Sequence, residues 1–152
     1  MSHDPPAIRR ADHVGLVVTS LEDALRFWTE GLGARLEREG ARDGAFLEQV
    51  TGARCRGARI AVVDLAGQKI ELLEYAGPPT PQGPPLAPFD VGSSHIALLV
   101  DDFDGVLARM GAYGYRARGT PLTVTEGARL GSRMIYASGP DGVTIELIEP
   151  PR

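Results

Sequence analysis

Residues 13–18 read His-Val-Gly-Leu-Val-Val, and residues 95–100 read His-Ile-Ala-Leu-Leu-Val. The two stretches lie 82 positions apart, and each is an aliphatic run of the length and composition of a well-buried strand. Each is followed by a pair of capping residues, Thr19-Ser20 and Asp101-Asp102, and then by a helical pattern. The first helix is expected over about 21–30, with Leu21, Ala24, Leu25 and Trp28 on one face; the second over about 103–112, with Phe103, Val106, Leu107 and Met110 on one face. Gly31 and Gly33 close the first, Gly111 and Gly114 the second.

The ends of the two halves repeat as well. Residues 70–74 read Ile-Glu-Leu-Leu-Glu and residues 145–149 read Ile-Glu-Leu-Ile-Glu, each after a glycine turn, Ala66-Gly67 or Pro140-Asp141-Gly142. Between helix and closing strand each half holds two further strand-like runs, around 34–39 and 58–65 in the first and around 115–124 and 133–138 in the second. Residues 40–57 and 126–132 are expected to be loops, the latter a mobile turn or lid. Six prolines between Ala76 and Asp90 forbid a helix or central strand and mark an extended linker. The reading is an α+β fold of two tandem βαβββ modules whose sheet curves around a cleft. Module 1 covers about 11–76, the Pro-rich linker about 77–91 and module 2 about 92–149, within a single domain of 152 residues.

Composition narrows the partners. The formal net charge of −4 argues against a nucleic-acid or anionic-membrane surface. No apolar run approaches the roughly 18 residues of a transmembrane helix, and the polar start, Met-Ser-His-Asp-Pro-Pro, is not a secretory signal. Cys55 is the single cysteine, so no internal disulfide is possible and a reducing cytoplasm is the expected compartment. His3 lies in a terminus expected to fray, and Cys55 has no histidine near it in sequence; neither is a site candidate. A small-molecule substrate is the expected partner.

Side chains alternate faces along a strand. His13, Gly15 and Val17 therefore share one face of the first strand, and His95, Ala97 and Leu99 one face of its repeat, while the larger aliphatic residues between them pack on the helices. Glu71 and Glu146 sit inside apolar closing strands, where a carboxylate is costly unless paired, protonated or bound to a metal. Either residue type alone says little. Both halves, however, carry histidine on the opening strand and glutamate on the closing one. His13, Glu71, His95 and Glu146 fit around one divalent ion related by a pseudo-twofold axis, and imidazole with carboxylate suits nickel, cobalt, zinc, manganese or ferrous iron.

The motifs Asp12-His13-Val14-Gly15, Phe27 to Gly33, Ile70-Glu71-Leu72, Ser94-His95-Ile96-Ala97 and Gly139 to Leu147 resemble those of the vicinal oxygen chelate superfamily. That group includes glyoxalases, epimerases, extradiol dioxygenases and fosfomycin and bleomycin resistance proteins. The resemblance spans about residues 11–149. It implies paired βαβββ modules cupping a metal, usually in a homodimer, with the four His and Glu residues at the metal-ligand positions. The full set looks like that of the lyases and isomerases. Tyr136, ten residues before Glu146, matches an active-site tyrosine of the dioxygenases. The arginine and asparagine of the glyoxalase glutathione site are absent here, and the second acidic residue of the acyl-CoA epimerases has no counterpart in register.

The resemblance implies a metal-dependent isomerase, epimerase or lyase. A substrate with adjacent oxygens chelates the ion, and Glu146 or Glu71 moves a proton through an enediolate or enolate. Arg133 and Arg129 are candidates to hold an anionic end of the substrate. Two rivals stay open. One is a ferrous dioxygenase, suggested by Tyr136. The other is a non-catalytic binding or resistance protein, with Trp28, Phe46 and Tyr75 offering aromatic surface, although Trp28 reads better as core.

Overall fold

The computed structural model describes residues 7–77 and 86–152. His3 and most of the Pro-rich linker lie outside the described residues. The α+β class and the doubled βαβββ order are observed. The first half contains β1 (Val14–Val17), α1 (Leu21–Arg26) prolonged by a π-helical turn (Phe27–Gly31), β2 (Arg35–Asp43), α2 (Gly44–Thr51), β3 (Gly57–Leu65) and β4 (Gln68–Ala76). The second contains β5 (His95–Leu99), α3 (Phe103–Ala112), β6 (Arg116–Ala117), β7 (Leu122–Thr123), a 3-10 turn (Gly127–Arg129), β8 (Arg133–Ser138) and β9 (Thr144–Glu149). No helix among the described residues is long and apolar enough to cross a membrane.

The strands form two sheets, ordered β1-β4-β3-β2 and β5-β9-β8-β6, with β7 also paired to β8. In each, the opening strand lies parallel to the closing one, and the helix carries the chain from the opening strand at one edge to the second strand at the other. Ser20 and Asp102 cap α1 and α3, accepting from the amides of Asp23 and Gly105.

The helix-side faces of both sheets share one core. Leu21, Trp28, Ile70 and Leu72 from the first half and Phe103, Met110, Ile145 and Leu147 from the second are all at most 2% exposed. Burial of each such side chain is worth about 1.5–3 kcal/mol. Across the junction the Phe27 ring stacks on Tyr115 at 4.0 Å, and Asp141 accepts from the Thr19 hydroxyl at 2.7 Å. The halves thus meet through their helices, and the opposite face of each sheet points away from that core.

Two expectations for the connections need correction. Residues 40–57 are not a loop. Antiparallel pairing carries β2 to Asp43 opposite Gly57, and Asp43 then caps α2 by accepting from the Phe46 amide. Gly44 has no substitute at that start, because a Cβ there would lie 2.2 Å from the Cys55 carbonyl oxygen. The run 115–124 is not one strand either. Gly119 and Pro121 split it into β6 and β7, since proline cannot donate to the ladder.

The second glutamate of each closing repeat has a structural use. Glu74 accepts from the Leu21 amide at 2.6 Å, and Glu149 from the Phe103 amide at 3.2 Å. Each closing strand thereby holds the N-terminus of its own crossover helix, where orphan amides and the helix dipole favour a carboxylate. Glu74→Ala and Glu149→Ala are each expected to lower the unfolding free energy by about 0.5–2 kcal/mol. Chemical denaturation checks this, and an unchanged midpoint in both variants would remove these contacts from the account of stability.

Candidate functional site

Parallel pairing fixes the register of the outward faces. Gly15 stands opposite Glu71, and Ala97 opposite Glu146. Each histidine lies two residues before the small residue, so it shares that residue's face and leans over the glutamate. His13 Nε2 is 3.2 Å from a Glu71 carboxylate oxygen, and His95 Nε2 is 3.2 Å from a Glu146 carboxylate oxygen. The two pairs are equivalent in register, atom and distance.

Their surroundings differ. His13 is fixed through its other nitrogen, Nδ1, which lies 3.0 Å from Asp12 Oδ2. That contact holds the Asp12 carboxyl below the usual carboxylate range. It leaves Nε2, the nitrogen facing Glu71, as the one free to bind; a carboxylate behind a ligating imidazole is a common orienting device. His95 instead packs on Tyr136, with ring centroids 4.8 Å apart and the phenol oxygen 3.4 Å from Nε2. Tyr136 stands directly across from Glu146 in the β8–β9 ladder. Burial, and then the Glu146 charge, push its hydroxyl above the ordinary tyrosine range, so at neutral pH it is protonated and able to donate. Glu146 is the more enclosed carboxylate, its side chain 9% exposed against 20% for Glu71.

Within one chain the two pairs remain apart. Among the described residues no group of three or more His, Cys, Asp or Glu side chains converges. This follows from the helix-to-helix packing, which turns the two outward faces away from each other. The strands beside the pairs, β1 and β5, are both open sheet edges. They expose Val14, Val17 and Leu99, the last at 66%.

The structure does not bring Arg133 to this face. It shares the core side of β8 with Ile135 and Ala137 and stands opposite Glu149. Its guanidinium makes two hydrogen bonds to Asp104 at 2.9 and 3.0 Å and lies 4.3 Å from the Phe103 ring centroid. The bonded guanidinium holds the Asp104 carboxyl below its usual range. The first half repeats the arrangement, with Arg59 opposite Glu74 and 3.5 Å from its carboxylate. Arg129 is exposed on the 3-10 turn and makes no hydrogen bond or ion pair with either His–Glu pair. Trp28 is 2% exposed in the core, whereas Phe46 and Tyr75 line an open cavity.

That cavity, about 470 Å³, lies between α2 and the outward face of the first sheet and reaches Glu71. A loop over 40–57 would not form it, since α2 supplies one wall. The signals for α2 were nevertheless present, as Asp43 precedes Phe46, Leu47 and Val50 at helical spacing and Gly52 follows as a left-handed cap.

Residues 10–147 match the family model described as the Glyoxalase/Bleomycin resistance protein/Dioxygenase superfamily. A 2-epi-5-epi-valiolone epimerase from Actinomyces sp. is 33% identical over 151 residues, covering 96% of this chain and 82% of that protein. A glyoxalase family protein from Bacillus cereus superposes with a TM-score of 0.80 at 28% identity, over 100% of this chain and 99% of the other. The fosfomycin resistance protein FosX from Listeria monocytogenes, solved with Mn(II) and sulfate, has the same fold at a TM-score of 0.60 and 19% identity, over 94% and 93% of the two chains.

Because its guanidinium is bonded to Asp104, Arg133→Ala is expected to lower the thermal midpoint and leave the metal content of purified protein unchanged. Loss of metal without loss of stability would return Arg133 to the site.

Proposed function

Since the chain belongs to the glyoxalase/bleomycin resistance protein/dioxygenase superfamily, we propose that it is a metal-dependent epimerase or isomerase acting on a substrate with adjacent oxygens. The observation that carries this reading is the pair of register-equivalent His–Glu contacts, His13 with Glu71 and His95 with Glu146, each at 3.2 Å. One pair offers an imidazole nitrogen and a carboxylate, too few donors for a closed site. Two pairs offer two of each, a set that suits a 2+ ion, neutralises its charge and leaves room for a bidentate substrate.

The complete set is drawn from two copies of the chain, His13 and Glu71 of one meeting His95 and Glu146 of the other in a homodimer. The separation of the pairs within a chain and the exposed edges β1 and β5 support this. An open edge with apolar side chains is a liability in a monomer and an ordinary dimer surface otherwise.

When bound, the ion supplies Lewis-acid polarisation of a substrate carbonyl, which acidifies the neighbouring C–H. Glu146 and Glu71 are the carboxylates available to take that proton and return it to the opposite face. Tyr136, protonated and across from Glu146, is placed to donate to oxygen as charge develops there. A ketone bearing a hydroxyl on the adjacent carbon meets these demands, and the Actinomyces relative, named as an epimerase of a ketone, supports that class. The Tyr136–His95 contact also favours a second reading, a ferrous dioxygenase. Iron in protein purified anaerobically, with oxygen uptake on a catechol, would select it.

Complementation tests the shared site. The His13→Ala/Glu71→Ala chain and the His95→Ala/Glu146→Ala chain should each bind no metal alone. Unfolded and refolded together, they should regain about a quarter of the wild-type load by random pairing, because each mixed dimer rebuilds one intact site. No recovery would overturn the two-copy site, and a wild-type protein that takes up no divalent ion would overturn the metal centre. Turnover of an α-hydroxy ketone in deuterium oxide should incorporate deuterium next to the carbonyl; epimerisation without incorporation would exclude proton exchange with solvent.

A further inference from the structure

We propose that Arg38 is a specificity-determining residue that selects substrates bearing an anionic oxygen group, a carboxylate or a phosphate, on the side remote from the metal ligands. The inference rests on the vicinal-oxygen reading above and adds what the far end of the substrate carries.

Register places the residue. Gly15 stands opposite Glu71, Glu71 opposite Val62, and Val62 opposite Arg38, so one row crosses the first sheet from β1 to β2. Arg38 is two strands from Glu71, a backbone distance of about 10 Å. Both residues line the cavity beneath α2, whose apolar wall includes Phe46, Ile60 and Leu73. A small molecule held by its oxygens near Glu71 therefore projects its remainder along an apolar wall toward a guanidinium.

That guanidinium is uncommitted. Among the described residues Arg38 makes no ion pair or side-chain hydrogen bond, although its neighbours do: Arg35 and Lys69 both pair with Glu37, at 3.3 and 2.8 Å. Arg42, further along the same face, lies 5.5 Å from the Phe46 ring centroid and donates to the Ala41 carbonyl oxygen. The second half provides the contrast. There the corresponding row runs Ala97, Glu146, Tyr136, and the Arg118 amide donates to the Tyr136 carbonyl. The Arg118 guanidinium, however, is engaged by Ser138 and by the Leu86 carbonyl oxygen. Among the described residues, then, the arginine of the first-half row has no partner where that of the second has two, and an unpaired guanidinium against an apolar wall suits bidentate contact with a carboxylate or phosphate.

The test uses three chelators that differ only in the tail: acetohydroxamate, malonomonohydroxamate and phosphonoacetohydroxamate. Their binding to the metal-loaded protein is measured by titration calorimetry, for wild type, Arg38→Ala and Arg38→Lys. At least one anionic tail should bind wild type about tenfold more tightly than acetohydroxamate, the size expected of a charge-assisted contact. That preference should vanish in Arg38→Ala and survive in part in Arg38→Lys, with acetohydroxamate affinity close to wild type in both. Which tail gains more tells carboxylate from phosphate. Equal binding of all three probes by wild type, or an anionic preference that persists in Arg38→Ala, overturns the role of Arg38 and leaves the metal reading standing. Failure of every probe to bind wild type overturns the vicinal-oxygen reading and the Arg38 inference with it.

Discussion

Each half of the molecule depends on one parallel strand pair, β1 beside β4 and β5 beside β9. The chain reaches the closing strand by antiparallel steps from the opposite edge of the sheet, so the strand at that edge runs parallel to the opening one; no hairpin can join those two, and the helix crosses between the edges and covers one face. That face becomes core. The other is left to carry chemistry, and the same pairing sets Gly15 against Glu71 and Ala97 against Glu146, bringing each histidine to 3.2 Å from its glutamate. Slipping either pair by one residue would turn a glutamate into the core.

The closing strand therefore serves both faces at once. In Ile-Glu-Leu-Leu-Glu the isoleucine and first leucine enter the core and the first glutamate meets histidine. The last glutamate, Glu74, takes the amide at the start of α1; Ile-Glu-Leu-Ile-Glu repeats this with Glu149 and α3. Duplication kept that division of labour, down to the arginine opposite the capping glutamate, Arg59 in one half and Arg133 in the other. The outward faces differ between the halves. Asp12 backs His13 where Tyr136 packs on His95, and α2 roofs the first sheet. Two His–Glu pairs of matching geometry are thus placed in unlike surroundings, and of the four residues Glu71 alone lines the cavity beneath α2.

Much of this was legible in the sequence. The doubled order of elements, the caps Ser20 and Asp102 and the core positions Leu21, Trp28, Phe103 and Met110 follow from patterns spanning a few residues. The side of β8 on which Arg133 falls was legible too, because it shares the parity of Ile135 and Ala137 rather than that of Tyr136. The α2 segment is hard to read from composition, whose charge and glycine content mask the Asp43 cap and the spacing of Phe46, Leu47 and Val50.

The sequence by itself determined the two modules, the face each histidine and glutamate would occupy and the residue types available to a metal. These depend on period, capping and turn chemistry, which act within a strand or a helical turn. Only the tertiary structure decided that the two His–Glu pairs of one chain stay apart among the described residues, that Arg133 is bound to Asp104 and that Arg38 falls in the row of Glu71. Those outcomes depend on strand register and on which faces the halves bury against each other. The helix-side faces bring Leu21, Trp28, Phe103 and Met110 together with Ile70, Leu72, Ile145 and Leu147 in one core, so the helices meet inside and the faces bearing His13 and His95 are left on the outside.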